Sequence, residues 1–153
     1  MDHTIQQALY RTLLQRANLP GSFTAENGIS VTAVGDGWAE GELCADSRHM
    51  NPMGIVHGGC LCTMMDQVAG AAACTRGSTS RTINCDIRYL NPGPAGHLTS
   101  RAEAIHMGRT TAVFHAQVND DHGNLCAEGI YTFRLKQNAY PINSFIHEEN
   151  PLG

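Results

Sequence analysis

Basic charge is scarce in this 153-residue chain: ten Lys and Arg stand against 14 Asp and Glu, a formal net charge of -4 with His neutral. A broad nucleic-acid surface needs a basic excess, so that class is set aside, although a local basic patch for a phosphorylated ligand stays open. Long apolar runs are lacking too. No stretch approaches the roughly 20 apolar residues of a membrane span. The opening segment MDHTIQQALYRTLLQRANLP has no apolar core of a secretory signal. A reducing, cytoplasmic location is therefore expected. With it come free thiols, mostly buried, at Cys44, Cys60, Cys62, Cys74, Cys85 and Cys126, rather than three disulfides. There is no internal repeat and no low-complexity segment. The 42% hydrophobic and 16% charged residues are an ordinary balance for a folded chain. The length fits one domain spanning 1–153, with a helix inside 1–20 and an irregular tail over 137–153.

Within those bounds the apolar spacing is informative. Ile5, Leu9, Leu13 and Ala17 recur at i+4 and predict a helix over 4–17, ended by Pro20-Gly21. Residues 28–46 read as extended chain broken by a turn at Gly35-Asp36-Gly37, and 47–57 as a loop. From Gly58 to Thr75, Leu61, Met64, Met65, Val68, Ala69, Ala72 and Ala73 form a sustained helical stripe, with Gly77 placed as a C-terminal cap. The run Ala69-Gly70-Ala71-Ala72-Ala73 has almost no side-chain bulk, so this helix can lie very close to a sheet. Four strands are expected next. In 81–91, Ile83, Cys85, Ile87 and Tyr89 alternate with Thr82, Asn84, Asp86 and Arg88, the pattern of a half-buried strand. Strands over 97–107 and around Ala112–Val118 follow. A hairpin loop at 119–124 then leads to a last strand that points Ala127, Gly129, Tyr131, Phe133 and Leu135 to one face. Helices segregated from a run of antiparallel strands indicate an α+β fold, one curved sheet around one long helix.

The segment Asn51-Pro52-Met53-Gly54-Ile55-Val56-His57-Gly58-Gly59 leads into the central helix, and Asp66 follows nine residues after His57. This N-x-x-G-x-x-H-G-G pattern, with its spaced Asp, resembles the hotdog-fold acyl-CoA thioesterases of the phenylacetate-pathway type. The resemblance runs from about Gly28 to Lys136 and includes Gly108-Arg109-Thr110 and Gly123-Asn124-Leu125. It implies hydrolysis of an acyl-CoA thioester with no cofactor and no metal. It also implies that Asp66 is the catalytic carboxylate, as general base or as nucleophile, and that the Gly58 N–H polarises the thioester carbonyl. Physical reasoning agrees with those roles. The first N–H groups of a helix lack intrahelical partners and carry partial positive charge, and a glycine there lets a carbonyl oxygen come close. By the same resemblance Asn51 positions water or leaving group, His57 sits near the sulfur or fixes the loop, and Thr82 helps orient the water.

Spacing adds a consequence. Eight residues of helix span about 12 Å, so Gly58 and Asp66 of one chain cannot meet at one carbonyl. A homo-oligomer is expected, a dimer at least, and the resemblance favours a tetramer. Plainer readings stand beside these. Gly58-Gly59 could be only a tight turn, Asp66 a structural helix residue and His57 a satisfied structural histidine. His49, His57, Cys60 and Cys62 match no usual zinc spacing, so Cys60 and Cys62 are read as packing residues. Arg101, Arg109 and Arg134 could meet coenzyme A phosphates, though a solvated strand face is the simpler reading for each. Two other functions fit the fold: a hotdog 3-hydroxyacyl dehydratase or hydratase, and a non-catalytic acyl-CoA sensor.

Overall fold

The computed structural model describes residues 2–137. The C-terminal tail expected at 137–153 lies, beyond Gln137, outside the described residues. Helix α1 (His3–Ala17) starts at an Asp2 cap whose carboxylate accepts from the Thr4 N–H at 2.8 Å. It ends at Asn18, whose side chain donates to the Leu14 and Val31 carbonyls and accepts from the Val31 N–H. One amide thus closes the helix and fastens it to the first strand. A single turn, α2 (Phe23–Glu26), follows; it is too short to leave a periodic signal in the sequence.

Strands β1 (Ser30–Gly35) and β2 (Trp38–Ala45) form the expected hairpin, with Gly37 at φ +75° in the turn. A 3-10 turn over Ser47–His49 and a Met50–Val56 bridge order much of the predicted loop. Helix α3 (Gly58–Ala73) then crosses the sheet, followed by β3 (Thr79–Tyr89), β4 (Gly96–Met107), β5 (Thr111–Asp120) and β6 (Leu125–Lys136). The strands make one antiparallel sheet in the order β1-β2-β4-β5-β6-β3. This is the α+β hotdog architecture read from the sequence. Among the described residues no helix is long and apolar enough to cross a membrane.

The core lies between α3 and one face of the sheet. All seven residues of the buried stripe, Leu61 through Ala73, are buried, Met64 and Met65 completely. They meet Leu98 and Ala102 of β4, Phe114 and Val118 of β5, and Tyr131 and Phe133 of β6. Phe114 and Phe133 pack edge to face with ring centroids 6.0 Å apart. Over β2 the helix comes close enough that Gly41 is required: a Cβ there would stand 2.6 Å from Val68 Cγ2 and 2.7 Å from the Ser30 carbonyl oxygen. Gly41→Ala is accordingly expected to destabilise the fold by about 1–3 kcal/mol, read as a lower urea midpoint at unchanged slope.

Three expectations need correction. Helix α3 is capped by Cys74, and Gly77, at φ +88°, lies three residues further on in the following turn. The thiols are free, but only Cys126 is fully buried; Cys44 and Cys85 are exposed. The strand predicted as half-buried is one of the sheet's two edges. Among the described residues β3 pairs only with β6, and Ile83 and Tyr89 are 60% and 54% exposed. Its alternation is also broken. Thr82 stands opposite Phe133 and Asn84 opposite Thr132, so Ile83 is the extra residue of a bulge. Up to the bulge, Ser80 and Thr82 share the helix-facing side; after it, Cys85, Ile87 and Tyr89 do.

Candidate active site

The bulge places one predicted site residue. With Thr82 turned to the helix side, its hydroxyl donates to the Asp66 carboxylate at 2.6 Å, a charge-assisted bond linking β3 to α3. Asp66 sits two turns into α3, on the flank of the buried stripe and partly open. It lines a 640 Å³ cavity bounded by Cys62, Thr63, Cys85 and Tyr131, with Arg16 and Phe23 contributed from the N-terminal segment. The Tyr131 hydroxyl donates to the Cys62 carbonyl at 3.0 Å, and burial pushes its acidity far out of range, so it is a neutral donor. Burial, then Cys62, then the Asp66 charge hold the Cys85 thiol in its neutral form. A thiol so held is a poor nucleophile. The Asp66 carboxylate beside it is a group that can take a proton from water or attack an acyl carbon.

The other predicted residues gather at the start of α3. His57 is its N-cap, with Nδ1 accepting from the Gly59 N–H at 2.8 Å. Its own N–H donates to the His49 carbonyl, and His49 is buried with its ring held by the Asn27 carbonyl and the Asp46 N–H. His57 thus caps the entrance of α3. Asn51 Oδ1 accepts from the Met53 and Ile55 N–H groups, so Asn51 shapes the loop that delivers the helix. The Gly58 N–H has no partner among the described residues. Its carbonyl accepts from the Tyr89 hydroxyl at 3.0 Å. Gly58 and Asn51 share a 340 Å³ cavity with Tyr89 and Leu61.

The chain thus brings Asp66 together with Thr82 in one cavity and Gly58 together with Asn51 in another, while His57, at the cap of α3, lines a third. Sequence reasoning missed Tyr89, taken for a core position, and read Cys62 as packing when it lines the Asp66 cavity. It also missed Gln67, whose Nε2 donates to the Ala17 carbonyl at 2.7 Å. The available signal was a second stripe on α3, Cys62, Thr63, Asp66, Gln67, Gly70 and Ala71, at the same i, i+3, i+4 spacing as the buried one. Among the described residues no cluster of three or more His, Cys, Asp or Glu could hold a metal. Of the candidate phosphate ligands, Arg101 is committed to Glu40, Glu103 and the Trp38 ring, as a strand-face residue would be.

Comparison with known proteins places the chain in a family. Residues 53–127, which include Gly58, Asp66 and Thr82, match the Thioesterase superfamily. A putative esterase from Pasteurella multocida is 30% identical over 118 residues, 74% of this chain and 85% of its own. The chain belongs to the thioesterase superfamily. This thioesterase is also 28% identical over 111 residues to human acyl-coenzyme A thioesterase 13, covering 70% of this chain and 79% of that one. Among solved structures, a mutant form of the phenylacetic acid degradation protein PaaI from Thermus thermophilus superimposes with a TM-score of 0.69 at 27% identity. That match covers 73% of this chain and 96% of that one. The thioesterase is therefore of the PaaI-like hotdog type.

Proposed function

We propose that this thioesterase hydrolyses an acyl-CoA thioester to the free acid and coenzyme A, at a site that two subunits build together. The observation that carries the reading is the split between the two half-sites. The Asp66 carboxylate, held by Thr82, and the free Gly58 N–H lie eight helical residues apart, about 12 Å, and open into different cavities. Antiparallel pairing of two α3 helices would bring each Gly58 to the partner's Asp66. The open edge of β3, with Ile83 and Tyr89 exposed, is a surface for such a pairing, since long edge strands are normally covered. A homodimer is the minimal active unit in this reading, and a tetramer is expected from it.

In the reaction the Gly58 N–H donates to the carbonyl oxygen and stabilises the negative charge that develops there. Asp66 either removes a proton from water as the water oxygen bonds to the acyl carbon, or bonds to that carbon itself and is released by water afterwards. In both routes the carbon–sulfur bond breaks, and the coenzyme A sulfur leaves with the electron pair and gains a proton. No cofactor or metal takes part, and the reaction is assigned to the cytoplasm. The relative named acyl-coenzyme A thioesterase supports the thioester class. Thiol release from benzoyl-, phenylacetyl-, hexanoyl- and decanoyl-CoA, followed beside hydration of crotonyl-CoA, tests the proposal. Release from at least one thioester, without hydration, is expected. Hydration alone would move the assignment to a hydratase, and tight binding without turnover to a sensor. Light scattering on the active fraction should give a dimer or larger; a fully active monomer sinks the shared site.

A further inference from the structure

The second stripe of α3 has a use that the proposed chemistry does not exhaust. It faces a groove whose opposite walls are the end of α1 and strand β3, and the groove is two cavities in a row. The first, 640 Å³, runs along Cys62 and Thr63 and has Phe23, largely exposed, among its lining residues. The second, 260 Å³, runs along Gly70 and Ala71 and ends against Leu13 and Phe133. Asp66 and Gln67 of α3 line both, as do Arg16 and Ala17 of α1 and Thr82 of β3, so the two cavities meet at that turn of the helix. Two side chains span the groove there. Asp66 reaches β3 through Thr82, and Gln67 reaches α1 through the Ala17 carbonyl. The first crossing belongs to the reaction. The second uses a side chain with no part in it.

We propose that Gln67 sets the length of acyl group the enzyme accepts, by narrowing the passage from the thioester position into the second cavity. This rests on the acyl-CoA reading above, with the carbonyl carbon at Asp66. The coenzyme A arm leaves through the larger, open cavity, and the acyl group points along α3 toward Gly70. Leu13, Ala71 and Phe133 supply the apolar wall on that side, beside the polar Arg16, Ser80 and Thr82, and the Gln67 amide crosses the groove to the end of α1 at 2.7 Å. Short or compact acyl groups stop at Gln67. Removing its side chain joins the two cavities, and each further methylene that becomes buried improves binding about fourfold.

The test is calorimetric binding of two non-hydrolysable thioethers, S-hexyl-CoA and S-dodecyl-CoA, to the intact protein. Gln67→Ala is expected to raise affinity for dodecyl relative to hexyl by about tenfold or more. Adding Gly70→Leu should cancel the gain. A Cβ at Gly70 would lie 3.6 Å from Phe133 and 3.7 Å from Ser80, ordinary contact, so the new side chain fills the second cavity without displacing backbone. If Gln67→Ala does not fold, Gln67→Ser opens the same passage and leaves a hydroxyl where the amide stood. An unchanged dodecyl-to-hexyl ratio overturns the proposal, as does a gain that Gly70→Leu leaves in place, or failure of both thioethers to bind. Because binding is read without turnover, absence of thiol release would remove the hydrolytic reading and still leave the length gate decided.

Discussion

Asp66→Asn and Asp66→Ala are each expected to lower kcat/KM by more than about a hundredfold on the best acyl-CoA substrate, chiefly through kcat. The two variants divide the carboxylate's roles. Asparagine has nearly the same shape and still presents an oxygen to the Thr82 hydroxyl, so the β3–α3 link at 2.6 Å is kept and only the charge is lost. Alanine loses the link as well and leaves Thr82 without its acceptor. If Asp66 does the chemistry, both variants fail alike, because neither can take a proton from water or bond to the acyl carbon. If Asp66 only holds β3 against α3, the asparagine variant should work almost as well as native and the alanine variant should be less stable. The neighbouring groups are not carboxylates: the Cys85 thiol has its pKa raised, by partial desolvation first and then by Cys62 and Asp66, and Tyr131 is a buried neutral donor. Circular dichroism and thermal unfolding on the same samples separate a dead site from an unfolded chain. Native-like turnover by both variants would remove Asp66 from the mechanism.

What could be read from the sequence follows from how each part is stabilised. Helix α3 was legible because its burial is one-sided and regular, so Leu61, Met64, Met65 and Val68 mark the core face at the period of the helix itself. Asp66, on the flank of that stripe, inherits a reliable position from it. Strand β3 was legible as a strand but its facing was not, because a single inserted residue decides which way its side chains face. Nothing local distinguishes Ile83 as a bulge; the register is imposed by β6, through Phe133 and Tyr131, from fifty residues away in the chain. The same displacement explains Thr82. Its sequence neighbours at i+2 and i+4, Asn84 and Asp86, stand on the other face, so strict alternation would have pointed it away from Asp66. Cys85 and Cys44 look like core residues by type, yet one faces a cavity from the edge strand and the other lies on the outer face of β2. The exposure of Ile83 and Tyr89 belongs to a single chain, and a sequence read as one chain with one core gives no reason to leave them open. Among the site residues, helix geometry fixes the positions of Gly58 and Asp66, and pairing between distant segments fixes those of Thr82 and Tyr89.

Gly58→Pro is expected to cost about a hundredfold to a thousandfold in kcat, the loss typical of removing one oxyanion donor. Proline is the sharpest probe because Gly58 is the first residue of α3, where a missing N–H breaks no helical bond and the fixed φ suits the helix. The preceding His57, at φ -57° and ψ 134°, already has the extended backbone that a following proline requires. A Cβ at Gly58 meets Tyr89 Cζ at 3.1 Å, and Tyr89, exposed on an edge strand, has room to move by the few tenths of an ångström needed. Gly58→Ala isolates that steric effect, since it adds the same Cβ and keeps the N–H; it should retain most of the activity. Subunit sharing can then be counted. When Asp66→Ala and Gly58→Pro chains are co-expressed in equal amounts, half of the dimers are mixed. Each mixed dimer has one site with both defects and one with neither, because its intact Asp66 and intact Gly58 come from opposite chains. The mixture should recover about a quarter of native activity, although either variant alone is nearly inactive. Sites contained within one chain would show no recovery at all, so this single ratio decides whether the gap of two helical turns is bridged by a second subunit.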